Sequence, residues 1–380
     1  MASDISRDAY PSQSVLTIDL TAVAQNYRNL RRRAEKSGAD CASVIKADGY
    51  GLGAVKVAPV LYAAGCRWFY VAHFSEAVAV RAALPRSGGA EIGVLNGLFP
   101  GEAGEYASHG LIPVLNDLGQ IEQWSKAARA EGKARPAIVH FDTGMSRLGL
   151  SPDEAARLVA EPERLSGLEI KYWLSHLACA DEPDHALNHE QLGRIKTITA
   201  RLPRAPVSFA NSSGIFLGAE YHFDQCRPGC ALYGINPVPG QPNPMRQVAR
   251  LDAKVLQLRT IDRPQTVGYG ATHRVGGPTR VATIAAGYAD GWLRSLSNRG
   301  FALFGGVKLP FIGRVSMDLI TIDATAVPQL QPGDFVELMG STLTPDHVAE
   351  VAGTIGYEVL TRLGGRLHRR YVNGPMAASV

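Results

Sequence analysis

Between about residue 15 and residue 240 the chain alternates short apolar runs with longer stretches whose apolar residues recur at helical spacing, and it does so eight times. The runs are Cys41–Ala47, Trp68–His73, Ile92–Gly97, Ile112–Asn116, Ala137–Asp142, Ile170–Leu177, Pro206–Asn211 and Asp224–Tyr233. Helical patterns lie between them. Val23, Tyr27, Leu30 and Ala34 mark one buried helix face, and Ser151-Pro152-Asp153-Glu154 has the N-cap, first-position proline and acidic third residue of a helix start. Eight such units fit an α/β fold of the (β/α)8 TIM barrel type better than a doubly wound sheet. Each run ends at or beside a polar residue: Lys46, His73, Asn96, Asn116, Asp142, His176, Asn211 or Arg227. A barrel gathers the C-terminal ends of its strands at one mouth, so these residues are expected to converge.

The pattern changes after the proline-rich segment at 236–245 (NPVPGQPNPM), which cannot continue a helix. Short β-branched runs and glycine turns follow, with a brief helical pattern near Asp346–Gly353. The expected organisation is an N-terminal tail (1–14), a (β/α)8 barrel (15–245) and a mainly antiparallel C-terminal β domain (246–380). Lys plus Arg number 39 against 35 Asp plus Glu, and a net charge of +4 argues against a dedicated nucleic-acid binder. With 46% hydrophobic and 19% charged residues, general disorder is excluded. No apolar run reaches the ~18 residues of a membrane span, and the first fourteen residues contain no export signal. Five scattered cysteines fit reduced thiols. A cytoplasmic location without membrane contact is expected.

Several motifs carry little. Gly49-Tyr-Gly-Leu-Gly53 lacks the spacing of a dinucleotide fingerprint. His185 and His189 have metal-ligand spacing, but in a polar helix face, so no metal is expected. Arg362, Arg366, Arg369 and Arg370 read as a solvated strand rather than a phosphate site. Lys46 is more informative. It ends an apolar run and is followed at once by a glycine-rich turn holding Tyr50, so it is either a surface charge or a nucleophile facing the mouth.

The segment Val44-Ile-Lys46-Ala-Asp-Gly-Tyr50-Gly51 resembles the pyridoxal-phosphate lysine motif of alanine racemases. Five more segments resemble that family in the same order: His140-Phe-Asp142-Thr-Gly-Met-Ser-Arg147, Ser175-His176-Leu-Ala-Cys-Ala-Asp181, Ala210-Asn211-Ser212 with Arg227-Pro-Gly229-Cys230, Gly287-Tyr288-Ala-Asp290-Gly291, and Gly313-Arg-Val-Ser-Met317-Asp318. The resemblance runs from about residue 15 to 373 and implies a barrel followed by a β domain, as the periodicity does independently. It implies interconversion of L- and D-alanine on pyridoxal 5'-phosphate, supplying D-alanine for cell-wall peptidoglycan or serving alanine breakdown.

On this resemblance Lys46 bears the cofactor and acts as base on the D-enantiomer, with Tyr288 the opposite base. His176, bonded to Arg227, supports Tyr288, and Arg227 faces the pyridine nitrogen; an arginine can only donate there. Tyr50, Asn211, Ser212, Gly229, Cys230 and Tyr357 are implied around the cofactor, and Arg147 and the Met317 N–H around the substrate carboxylate. A head-to-tail homodimer is implied, in which Tyr288 and Met317 complete the other subunit's site. One position departs from the family. Where many members have a carbamylated lysine, this chain has His140, expected as a neutral ring that orients Arg147 by hydrogen bonding, directly or through water. A decarboxylase on a similar architecture would share the lysine but has no need of Tyr288; a non-catalytic cofactor carrier has no need of Tyr288 or Arg147.

If Lys46 is the attachment point, the purified protein is yellow, and borohydride fixes the cofactor mass on the peptide containing Lys46. A colourless protein that takes up no added cofactor contradicts the assignment.

Overall fold

The computed structural model describes residues 13–85 and 88–374. Residues 1–12 of the expected tail and the last six residues lie outside the described residues. Two compact units divide the chain. Val23–Arg246 forms one, and the described residues of Met1–Ala22 and Gln247–Val380 form the other.

The first unit is a barrel of nine short strands, all paired in parallel. Asp40–Cys41 pairs with Gln225–Cys226, whereas Ser43–Val44 pairs with Trp68–Val71. Only Ala42 separates the first two strands, and its N–H donates to Cys226 O at 2.9 Å. The sheet therefore returns to its own starting segment and leaves no open edge. The remaining strands are Glu91–Val94, Ile112–Leu115, Arg135–His140, Leu168–Leu174 and Val207–Ser208. Each expected run extends beyond the observed strand at its C-terminal end, because its last residues belong to the mouth rather than to the ladder.

The barrel interior follows the period-two alternation of the strands. Ala42, Val44, Tyr70, Ile112, Val114, Ile138, Tyr172 and Leu174 form one buried cluster. Gly93 faces the same interior: a Cβ there would lie 2.7 Å from the Tyr70 ring and 3.4 Å from Ile138 Cδ1. The Tyr70 ring thus fills the space that a side chain on the neighbouring strand would need. The expected helix face also forms, since Val23, Tyr27, Leu30 and Ala34 are fully buried in Leu20–Glu35. Ser151 and Glu154 form a capping box at the start of Pro152–Ala160.

In the second unit the 13-residue strand Ala249–Ile261 organises the sheet. A bulge between Val255 and Gln257 splits its pairing. Before the bulge it pairs antiparallel with Ser14–Asp19 and Phe335–Met339; Thr279–Ile284 pairs antiparallel across the bulge, from Val255 to Ile261. Ser14–Asp19 also pairs in parallel with His368–Val372. The first described strand therefore belongs with the β-rich unit, whereas the periodicity had placed the barrel's start at residue 15. The helix expected near Asp346–Gly353 spans Pro345–Ala352, and a second, Gly356–Thr361, follows.

Gly93→Ala is expected to destabilise the protein by about 1–3 kcal/mol, the usual range for an added core methyl that must displace a packed ring. Urea unfolding followed by far-UV circular dichroism checks this; an unchanged midpoint would contradict the packing described.

Candidate active site at the barrel mouth

Lys46 stands two residues beyond the strand Ser43–Val44 and opens a short turn, Lys46–Tyr50. Ala47, Asp48, Gly49 and Tyr50 all have positive φ, between 50° and 62°, so the chain makes a left-handed turn. Only glycine adopts this region without steric penalty, and each of the other three costs about 1–2 kcal/mol. Local bonds hold the turn: Gly51 N–H donates to Ala47 O, Gly53 N–H to Asp48 O, and Ala54 N–H to the Asp48 carboxylate at 2.8 Å. The turn reverses the chain at once and sends the Tyr50 ring inward, where it is buried and stacks on Tyr233 at a centroid distance of 4.7 Å. The Tyr50 hydroxyl closes on Gly229, whose Cβ would lie 2.3 Å from it. Burial raises both phenols, so they remain proton donors.

Burial lowers the Lys46 amine, the charge of Arg147 lowers it further, and Glu76 opposes both. More of it is therefore unprotonated at neutral pH than of an ordinary lysine, as a nucleophile or base requires. Arg147 lies in the loop after Arg135–His140. The Asp142 carboxylate shapes that loop by accepting from the N–H groups of Gly144, Met145 and Ser146 at 2.8–3.1 Å. The Arg147 guanidinium makes no hydrogen bond or ion pair among the described residues, yet its charge acts on Lys46, His140 and His176. It is a cation available to a carboxylate.

Beneath the mouth, Arg227 is only 3% exposed and has no carboxylate within ion-pair distance among the described residues. It donates to Ser208 Oγ (2.8 Å), Ser175 O (2.6 Å), Phe209 O (3.4 Å) and His176 Nδ1 (3.4 Å). Gln225 Oε1 accepts from both Ser208 Oγ and the Tyr70 hydroxyl at 2.8 Å, which fixes the serine. Burial lowers the guanidinium to about 10. An arginine has no lone pair to offer, so His176 Nδ1 accepts and the ring carries its proton on Nε2. Burial and then Arg227 hold His176 well below the ordinary imidazole range.

Ser212 Oγ accepts from the N–H groups of Gly229 (2.9 Å) and Ala231 (3.3 Å), where the chain turns into Cys230–Tyr233. Two backbone N–H groups that now bond the Ser212 hydroxyl, that hydroxyl and the Tyr50 phenol thus meet at one place, a set whose donors a phosphate monoester would take over. Asn211 caps Gly214 through its Oδ1 and donates to Leu177 O, so its side chain serves the loop. His140 makes no direct bond to Arg147 among the described residues; its Nδ1 pairs with Asn116 Oδ1 at 2.8 Å. Burial first, then Arg227, push it down to about 3, against the opposing charge of Asp142.

Tyr288 and Met317 come together in the sheet unit. Tyr288 N–H donates to Ser316 O (3.0 Å) and Ala289 N–H to Met317 O (2.9 Å). Arg366 clamps both segments, reaching Asp290 at 3.1 Å and Asp318 at 2.7 Å. The Met317 N–H has no partner among the described residues. Tyr288, Met317 and Tyr357 are 39%, 53% and 39% exposed in the single chain. Of the residues set aside at the start, His185 caps its helix through Leu187 N and His189 meets the Tyr221 hydroxyl. The C-terminal arginines are not merely solvated: Arg366 forms this clamp, and Arg369 and Arg370 bond within the sheet unit. Sequence reasoning missed Tyr70, Ser175, Ser208, Gln225 and Arg366, whose roles depend on partners far away in the chain.

These features define a class: a barrel-and-sheet protein whose mouth holds a desolvated lysine over a buried arginine–histidine pair. Two family models match the chain, "Alanine racemase, N-terminal domain" over residues 18–237 and "Alanine racemase, C-terminal domain" over residues 248–371. A catabolic alanine racemase of Mesorhizobium japonicum is 50% identical over 363 residues, 95% of this chain and 94% of that one. An alanine racemase of Rhodospirillum rubrum is 49% identical over 360 residues, 94% and 96% of the two chains. Among solved structures, the Bartonella henselae alanine racemase with covalently bound pyridoxal phosphate superposes with a TM-score of 0.92 at 44% identity, covering 95% of this chain and 100% of that one. The chain belongs to the alanine racemase family.

The depressed histidine makes stability depend on pH. Between about 3, where folded His140 titrates, and the ordinary value near 6.5, the unfolded chain binds the extra proton. The contribution of the neutral ring is therefore complete above about pH 6.5 and is lost as pH falls towards 3. His140→Gln should lose urea stability less steeply than the parent between about pH 6 and pH 4. Parallel curves would show that His140 is not held neutral.

Proposed function

We propose that this chain interconverts L- and D-alanine with pyridoxal 5'-phosphate as cofactor, in a reversible reaction that serves D-alanine supply to the cell wall or alanine breakdown. The observation that carries the reading is the desolvated Lys46 amine flanked by Arg147, above the Arg227–His176 pair. The residues present suit the cofactor: Lys46 for its carbonyl carbon, and Tyr50, Ser212 and the backbone of Gly229 and Cys230 for its phosphate. Asn211 and His176 would line the same barrel pocket, Tyr357 is added on the family resemblance, and Arg227 would donate a hydrogen bond to the ring nitrogen without protonating it. When bound, pyridoxal phosphate supplies the electron sink that acidifies the α C–H.

The remaining work falls to the protein. Arg147 and the Met317 N–H hold the substrate carboxylate. The Lys46 amine takes or returns the α-proton on the D side, and the Tyr288 oxygen does so on the L side, with His176 supporting the phenol. His140 helps to place Arg147. The barrel unit, Val23–Arg246, carries the cofactor, and the sheet unit that includes Gln247–Val380 carries the second base. The exposure of Tyr288 and Met317 supports a head-to-tail homodimer, in which each β domain completes the partner subunit's barrel mouth. No helix among the described residues is long and apolar enough to cross a membrane.

Optical rotation of an L-alanine solution should decay to zero on adding the purified protein; an unchanging rotation would sink the reading. Tyr288→Phe should slow α-proton exchange from L-alanine more than from D-alanine, by the ~10²–10⁴-fold typical of a lost general base. Net racemisation must fall equally in both directions, because a catalyst cannot move the equilibrium. Equal loss of exchange from both enantiomers would remove Tyr288 as a face-specific base.

A further inference from the structure

His140 ends its strand with one nitrogen committed. Its Nδ1 lies 2.8 Å from Asn116 Oδ1, and Nε2 has no hydrogen-bond partner among the described residues. Which atom donates is decided by Asn116, which is 5% exposed and held on every side. Its Nδ2 donates to Leu95 O at 3.0 Å and to Val114 O at 2.9 Å, using both amide hydrogens on carbonyl oxygens. Its own N–H donates to Gln120 Oε1 at 3.0 Å. A flipped amide would set Oδ1 against two carbonyl oxygens, a repulsion with no compensating bond. Oδ1 must therefore face His140 as an acceptor, and the imidazole proton must sit on Nδ1. The charged and titratable groups around the ring are Asp142, Arg147, Arg227 and His176. Asp142, the one anion among them, is already engaged by three backbone N–H groups.

We propose that Asn116 is a positioning residue for the substrate-carboxylate site: by holding the proton of His140 on Nδ1, it keeps a neutral ring with an Nε2 lone pair beside Arg147. Arg147 then has an acceptor for a neighbour instead of a second cation, and the guanidinium is steadied without a fixed anion. A carboxylate at position 116 would reverse this, because it stabilises the imidazolium. The inference rests on the racemase reading for its kinetic test, but the position of the proton can be observed without turnover.

Two variants and one spectrum test it. Asn116→Leu should raise KM for L-alanine by about tenfold, the worth of one charge-assisted bond, and lower kcat by less than about threefold. Asn116→Asp should show KM climbing as pH falls from about 8 to about 6, where the parent's KM is flat with respect to this group, because the new imidazolium repels Arg147. In protein labelled with ¹⁵N-histidine, the parent's His140 should carry its proton on Nδ1, and Asn116→Asp should show an imidazolium at about pH 6. A parent ring protonated on Nε2, or variants whose KM stays within about twofold of the parent across this range, would overturn the proposal. If either variant fails to fold, because Leu cannot donate to the Leu95 and Val114 carbonyls and Asp sets an oxygen against them, the parent's spectrum still decides. A parent that racemises nothing while showing the Nδ1 proton would count against the racemase reading and leave the tautomer assignment standing.

Discussion

A guanidinium buried in the barrel with no carboxylate partner among the described residues is the constraint around which the mouth is arranged. Removing such a charge from water costs several kcal/mol, and only a complete set of acceptors offsets it. Arg227 obtains them from two neighbouring strand ends: Ser175 O and His176 Nδ1 just after Leu168–Leu174, and Ser208 Oγ and Phe209 O at the end of Val207–Ser208. Because the acceptors come from two strands and the arginine follows a third, Gln225–Cys226, these strands must pair in one register for the full set of bonds to form. The interior layer below enforces that register, with Tyr70 filling the space over Gly93 and reaching Gln225 across the barrel.

The same cation sets the chemistry above it. Since Arg227 can only donate, every neighbour must accept, and both His140 and His176 are kept neutral. The Lys46 amine is lowered by burial and then by Arg147. The left-handed turn after Lys46 adds a second constraint. Its backbone cost is offset by the Tyr50–Tyr233 stack and by the bonds of Asp48, and in return it brings a phenol and a lysine four positions apart to the same barrel mouth.

Much of this was legible in the sequence. The helix face of Val23, Tyr27, Leu30 and Ala34 and the capping box at Ser151 are local patterns, and local physics decides them. Lys46 and Tyr50 stood out because an apolar run met a glycine-rich turn, and the polar residue at each strand end marked the mouth. What was not legible depends on distance along the chain. Tyr70, Ser208 and Gln225 sit at alternating interior positions that read as ordinary strand residues until the barrel brings them together. Asn116 was visible as a strand-end residue, but its amide orientation depends on carbonyls of two strands. Ser14–Asp19 looked like the opening of the barrel because it directly precedes the first helix; its partners, Ala249–Ile261 and His368–Val372, lie more than two hundred residues away. The left-handed conformation of Ala47 and Asp48 has no compositional signature at all.

The account depends most on a neutral His176 that accepts from Arg227 at Nδ1. ¹⁵N spectra of histidine-labelled protein, recorded from about pH 8 down to about pH 5, read this directly, since the two nitrogens of a neutral ring give distinct signals and those of an imidazolium converge. The predicted result is a His176 ring that carries its proton on Nε2 and does not titrate in this range. An imidazolium, or a proton on Nδ1, would contradict the arrangement of the mouth around the buried arginine.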